Sequence, residues 1–367
     1  MSSSFHNPVH VRFGEGALQD LPAVLAGRRA LLVTFPEAEG LGLVDRLRDL
    51  LGPALIGVED RIEPNPDVAS LGGMYSRFWG QPDACEAVIA VGGGSAIDTA
   101  KALMIGTESG RFDELQSLLS SGRPFGVHRS KALIAVPTTA GTGSEVTPWA
   151  TVWDRAAGKK YSLHLPETWP EVAIVDPELM LTLPTPVTVH SALDALSHAL
   201  ESIWNVNANP ISDTFAVSAA REVMATLPAL LERPRDVSLR SRMALAALKA
   251  GMAFSNTKTA LAHSISYEMT LRYGLPHGLA CSFTLPMVLG LAAGVDQARD
   301  DVLSSVFEGD LAAAPARLAS FLERVGVKTD FADYGVQEED SRRMIRDAMQ
   351  GARGKNFIGA AVASQPS

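Results

Sequence analysis

Three consecutive glycines, in VIAVGGGSAIDTAKAL (88–103), stand between a short apolar run and a helical pattern. An apolar run of this length entering a glycine turn that opens a helix reads as a buried strand, with the amide end of the helix free to meet an anion. The same texture recurs along the first half of the chain. RALLVTF (29–35) is followed by the helical LVDRLRDLLG (43–52), and KALIAVPTT (131–139) forms a further apolar run. Apolar runs alternating with helices predict a parallel sheet covered on both faces. Ser95 is expected to cap the helix after the glycines, with Asp98 reaching back to complete a capping box. The GxGxxG spacing is missing, so Gly92, Gly93 and Gly94 alone do not establish a dinucleotide site.

A second loop strengthens that reading. In AVPTTAGTGSEVT (135–147) an apolar run ends in Thr138, Thr139, Gly141, Thr142, Gly143 and Ser144, which allow close backbone approach and offer several hydroxyls. Two such loops at the carboxyl edge of one sheet form the usual place for a cofactor. From about Thr185 the pattern changes to apolar residues at three-to-four spacing, as in SALDALSHALESI and SLRSRMALAALKAGMAFSN. The proline-rich DPELMLTLPTP (176–186) marks the boundary, giving an α/β domain over 1–180 and an all-helical domain over 181–367.

In SALDALSHALE, Asp194 and His198 lie four apart and project from one helix face, with apolar flanks that leave little polar surface. A second apolar segment, LAHSISYEMTLRYGLPHG (261–278), carries His263 and His277, and Pro276 is expected to break the helix and turn His277 back. One carboxylate and three imidazoles suit a divalent transition metal that keeps room for substrate or water. The two cysteines, Cys85 and Cys281, are solitary, which gives neither a disulfide framework nor a CxxC site and fits a reducing compartment. A formal charge of -9, from 32 basic and 41 acidic residues, argues against nucleic acid. No basic, apolar leader and no eighteen-residue apolar span is read, so a cytoplasmic protein without a membrane role is expected.

Taken together, GGGSAIDTAK (92–101), PTTAGTGSEVT (137–147), DALSHALE (194–201) and AHSISYEMTLRYGLPHG (262–278) resemble the iron-containing (group III) alcohol dehydrogenase family, over about Gly14 to Val325. The resemblance implies a Rossmann-like dinucleotide-binding domain followed by an all-α metal domain, the dehydroquinate synthase-like fold. It implies that Asp194, His198, His263 and His277 hold the metal, Fe2+ in preference to Zn2+. Gly92, Gly93, Gly94, Ser95, Asp98, Thr138, Thr139 and Thr142 would meet NAD(H) or NADP(H), and Lys160 would lie near the nicotinamide. The implied reaction is hydride exchange between the nicotinamide and a small aldehyde or its primary alcohol, in a homo-oligomer, commonly a dimer.

Two departures from the family pattern stand out. Phe35 follows LLVT where many NAD-using members have an aspartate for the ribose, so NADPH becomes admissible. Tyr267 replaces a histidine often discussed as a proton carrier, leaving Tyr267, the cofactor ribose or water as alternatives. Lys258 stands just before the His263 helix, where simple alcohol dehydrogenases usually carry a small or apolar residue, and Lys159, Lys160 and Arg272 add cations. Cations beside a metal–aldehyde site suit an anionic tail, a pattern resembling the phosphonoacetaldehyde reductase branch. The competing expectations are a general alcohol dehydrogenase for neutral, sulfonate or carboxylate aldehydes and a maleylacetate-reductase-like enzyme. A dehydroquinate-synthase-like lyase or a non-catalytic binding protein fits less well.

Overall fold

A computed structural model describes residues 3–360. Two compact units appear: one comprises Asn7–Thr139 with Ser144–Met180, and the other the described residues from Leu181 onward with 3–6 and Ala140–Gly143.

The first unit is a six-stranded, all-parallel sheet. Its strands are β1 (His10–Phe13), β2 (Ala30–Thr34), β3 (Leu55–Glu59), β4 (Ala87–Gly92), β7 (Ala132–Pro137) and β10 (Val172–Val175), in the order β1-β10-β7-β4-β2-β3. Two small antiparallel pairs accompany it, β5 (Ile105–Gly106) with β6 (Arg129–Ser130) and β8 (Trp149–Asp154) with β9 (Lys159–His164). Alternate residues of the central strands feed opposite cores, as the period of two in a strand requires. Val33, Val88, Ala90, Leu133 and Ala135 face one core, while Leu32, Ile89, Val91, Ile134 and Val136 face the other. The helices are α1 (Leu21–Leu25), α2 (Leu43–Leu51), α3 (Val68–Trp79), α4 (Gly94–Met104) and α5 (Phe112–Ser121). Parallel register pairs Gly92 with Pro137, so the glycine turn and the threonine loop leave the sheet at the same edge, tied by Thr138 N–H donating to the Gly92 carbonyl at 3.0 Å.

The helix start differs from the expected capping box. α4 begins at Gly94, and its N-cap is Gly93, which offers no side-chain cap. Ser95 Oγ instead accepts from Asn65 N–H at 3.1 Å, and Asp98 accepts from Ser144 Oγ at 2.7 Å and Thr151 N–H at 2.9 Å. The long-range partners win because the donors that the fold brings beside α4, on Asn65, Ser144 and Thr151, need acceptors there.

Lys101 completes this network. Fully buried on α4, its Nζ donates to the carbonyls of Ser144, Thr147 and Trp149 and to Ser144 Oγ at 2.7–2.9 Å. Burial lowers its pKa to about 8, against the raising effect of Asp98 and Glu145. Burial likewise pushes Glu145 up to about 7. The folded protein therefore holds the Glu145 proton more tightly than the unfolded chain, whose ordinary value is 4.5. The stability that this proton contributes is complete below about pH 4.5 and is lost as pH rises through about 7. Glu145→Gln should flatten that part of the stability profile and raise stability at pH 8 by up to ~3 kcal/mol, read from urea midpoints across pH. A Gln variant that tracks the parent at every pH would show that Glu145 ionises freely.

The second unit is helical: α6 (Thr185–Ile203), α7 (Pro210–Glu232), α8 (Val237–Thr257), α9 (Leu261–Tyr273), α10 (His277–Ser282), α11 (Leu285–Ala292), α12 (Gln297–Val306), α13 (Ala314–Arg324) and α14 (Glu338–Gln350). By length and mean hydropathy alone α7 would be long and apolar enough to cross a membrane, but Asp213, Arg221 and Glu222 interrupt it, so it is no continuous apolar span. In the fold it packs on α6, α8 and α12 along one face, with Ala216, Ala220, Val223, Leu227 and Leu230 buried.

The expectation that the whole 137–147 loop stays with the sheet is also revised. Gly143 adopts φ +60°, and a Cβ there would stand 2.6 Å from Gly251 Cα on α8. Ala140–Gly143, with Thr142, thereby belongs with the helices, because glycine allows a backbone contact that any side chain would block.

Candidate metal centre and cofactor turn

α6 and α9 each turn some polar residues inward. Asp194, His198 and Glu201 occupy one face of α6 at successive turns, and all three are buried. Asp194 Oδ1 is the hub, lying 3.7 Å from His198 Nε2, 3.4 Å from His263 Nε2 and 3.8 Å from His277 Nε2. The four residues expected from the sequence are thus brought together around one carboxylate oxygen. Ligand atoms of Asp194, His263, His277 and Cys281 all lie within 4.8 Å of one another, so Cys281 joins a site to which sequence reasoning had not assigned it. Its thiol donates to Asp194 Oδ1 at 3.4 Å. Cys281 follows His277 by four residues on α10, and that helical spacing was its only sequence signal.

His277 reaches the cluster by a route different from the one expected. α9 stops at Gly274, which takes the left-handed conformation (φ 70°) as its C-cap, and Pro276 then serves as the N-cap of α10, with His277 its first residue. Gly278 is required next, because a Cβ there would lie 1.9 Å from the His190 carbonyl of α6. That close approach sets α10, and with it His277, against the Asp194 face.

The electrostatics suit a cation. Burial would raise the Asp194 pKa, but His198, then His263 and His277, outweigh burial and lower the pKa. Burial lowers the His198 pKa to about 4, helped by His263 and opposed by Asp194, so its imidazole is neutral at pH 7. For His263 the burial effect is outweighed by Glu201 and Asp194, and its pKa is raised. His263 Nε2 is nonetheless buried with no hydrogen-bond partner, and so is His198 Nδ1. An orphaned imidazole nitrogen aimed at an ionised carboxylate is what a divalent ion would satisfy. The residues present fit such an ion.

Glu201, unassigned in the sequence reading although it lies inside DALSHALE, has Oε2 2.6 Å from His263 Nδ1. Tyr267 lies on α9 one turn after His263, and the Arg353 guanidinium stacks 4.8 Å above its ring. The substrate-cation candidates are dispersed. Arg272 is exposed and engaged with Glu268 at 3.1 Å and Asp340 at 3.4 Å. Lys159 and Lys160 belong to β9 in the first unit, with Lys160 Nζ 4.9 Å from the centre of the Trp153 ring. Lys258 is the C-cap of α8, three residues before α9.

At the other site, α4 presents its first amides without a side-chain cap, and Gly93 stands beside Thr139. Such an uncapped, glycine-lined helix end fits the diphosphate of a dinucleotide. Phe35 leaves β2 beside the same turn, its ring 3.4 Å from where a Gly92 Cβ would stand.

A sheet with an open phosphate turn and a helical unit with a buried carboxylate–imidazole centre define a metal-dependent nicotinamide dehydrogenase. Comparison with known proteins agrees. Residues 8–177 match the family described as iron-containing alcohol dehydrogenase, and residues 188–362 match its C-terminal part. The NAD-dependent methanol dehydrogenase of Bacillus methanolicus is 32% identical, over 95% of this chain and 94% of that protein. The 1,3-propanediol dehydrogenase of Citrobacter freundii is 32% identical over 89% of this chain and 86% of its own. Among solved structures, sulfoacetaldehyde reductase from Bifidobacterium kashiwanohense, in complex with NAD+, superposes with a TM-score of 0.89 at 28% identity, covering both chains fully. The chain belongs to the iron-containing alcohol dehydrogenase family. It is an alcohol dehydrogenase that uses a nicotinamide cofactor and a divalent metal.

Proposed function

We propose that this enzyme reduces phosphonoacetaldehyde to 2-hydroxyethylphosphonate. Sulfoacetaldehyde is the second reading, favoured by the likeness to a sulfoacetaldehyde reductase. The observation that carries an anionic tail is Lys258. Its backbone sits at φ 69° and ψ 172°, a region otherwise kept by glycine, at the cap that leads into the His263 helix. A lysine held there costs roughly 1–3 kcal/mol of strain relative to glycine. Strain of that size persists where the side chain serves a purpose, and a cation before the metal-ligand helix serves to recognise an anion.

Asp194, His198, His263 and His277 would hold the metal, Fe2+ in preference to Zn2+, and Cys281 lines the same pocket. When bound, the ion supplies Lewis-acid polarisation of the aldehyde oxygen. This chain's residues do the rest. Gly92, Gly93, Gly94, Ser95, Thr138, Thr139 and Thr142 bind the cofactor, and Asp98 braces the 144–151 return. Lys160 would lie on the nicotinamide side, and Tyr267, the cofactor ribose or water would carry the proton to the product oxygen. NAD(P)H and one proton are consumed per aldehyde, releasing NAD(P)+ and the alcohol. With Phe35 in place of an acidic residue, NADPH is accepted as well as NADH. The enzyme is cytoplasmic and dimeric in this reading.

The test is a panel of phosphonate, sulfonate, carboxylate and neutral aldehydes, with each cofactor in turn, on metal-loaded parent, Lys258→Ala and Lys258→Gly. Lys258→Gly should gain stability, while kcat/KM falls at least ~10-fold for the phosphonate and not for the neutral aldehydes, the scale of one lost charged contact. Equal losses on anionic and neutral aldehydes, or none on the phosphonate, would refute the anion reading.

A further inference from the structure

The buried Glu201 has a task beyond filling space. It projects from α6 at zero exposure, in a unit where a lone carboxylate would be costly. Both of its oxygens are used. Oε1 accepts from the backbone N–H of Ala262 at 2.6 Å and of His263 at 3.2 Å. Oε2 accepts from Ala260 N–H at 2.9 Å and lies 2.6 Å from His263 Nδ1. The three amides are those that open α9, whose N-cap, Ala260, has no side chain to satisfy them. A carboxylate from another helix thus caps α9, where amides and helix dipole both favour negative charge. Three backbone amides donating to its two oxygens favour the ionised form of Glu201.

We infer that Glu201 is the positioning residue of the metal centre: by accepting from His263 Nδ1–H and capping α9, it selects the tautomer and ring plane that leave His263 Nε2 as the donor. An ionised carboxylate cannot donate, so the proton on the shared side belongs to Nδ1. Nε2 is then a lone pair, and it is the buried, partnerless atom 3.4 Å from Asp194 Oδ1. Stacking on His198, with ring centroids 4.6 Å apart, fixes the remaining rotation. Gln at this position would keep the size of Glu but replace one acceptor by an amide donor. That donor must face either the α9 amides or His263 Nδ1–H, and neither accepts it.

The inference rests on the family's metal chemistry, and its test is binding rather than turnover. Metal-stripped parent and Glu201→Gln would be titrated with Zn2+ against a chromogenic chelator. The expected result is affinity weaker by on the order of 10- to 100-fold in Glu201→Gln, with circular dichroism unchanged. Affinity within twofold of the parent, in a folded variant, overturns it. Should Glu201→Gln fail to fold, the parent alone decides. Two-bond proton–nitrogen correlations of 15N-histidine in the Zn2+ form must show His263 protonated at Nδ1, and a His263 protonated at Nε2 overturns the inference. Retained affinity with lost turnover on every aldehyde would leave the metal chemistry intact and refute only the role given to Glu201.

Discussion

Asp194→Asn should empty the metal centre and lower kcat/KM for every aldehyde by about three orders of magnitude, or ~4 kcal/mol of transition-state stabilisation. The substitution keeps the shape of the side chain and removes the charge to which three imidazoles converge at 3.4–3.8 Å. The cofactor turn is built on a different unit, so NAD(P)H binding, followed by nicotinamide fluorescence, should remain within about twofold. Exhaustive chelation of the parent should reproduce the activity loss and re-addition of Fe2+ or Zn2+ should reverse it. In Asp194→Asn, re-addition should restore nothing. Turnover that survived both treatments would remove the metal from the mechanism.

Lys101→Met carries the second large effect. It retains most of the aliphatic bulk on α4 but leaves the carbonyls of Ser144, Thr147 and Trp149 without their shared donor. Asp98 and Glu145 lose the cation that lowers their pKa values in the buried loop. Breaking a buried charge network by removing one partner costs about 3–5 kcal/mol. In a unit of this size that corresponds to a fall of roughly 8–15 °C in melting temperature, measurable by calorimetry. Affinity for NAD(P)H should fall as well, since the 144–151 return follows the threonine loop. A Met variant melting within 2–3 °C of the parent would mean that water replaces the ammonium, on the same stability scale.

Much of the fold was legible in local patterns. The runs at 30–34, 87–92 and 132–137 are each buried on both faces, and that condition makes a parallel strand continuously apolar. Asp194 and His198 were legible because four residues on a helix return to one face, and their apolar flanks marked that face as internal. Glu201 obeys the same periodicity and was passed over, since nothing in the sequence says that α9 begins at a residue unable to cap itself. Cys281 was hidden likewise, because a solitary cysteine becomes part of a metal site only through contacts across helices. Ser95 and Asp98 failed as a capping box for the converse reason: the local pairing was chemically sound, but Asn65, Ser144 and Thr151 lie far along the chain and arrive only with folding.

The sequence by itself determined the two kinds of architecture, the glycine turn and the four residues that meet at Asp194, because strand and helix periods are properties of a few consecutive residues. The tertiary structure alone decided the order of the strands and the docking of Ala140–Gly143 on the helices. It alone turned Glu201 into the cap of α9 and gave Lys101 its four acceptors. These depend on partners dozens of residues apart, and the free energy of a buried polar group is set by whichever partner the fold brings within about 3 Å.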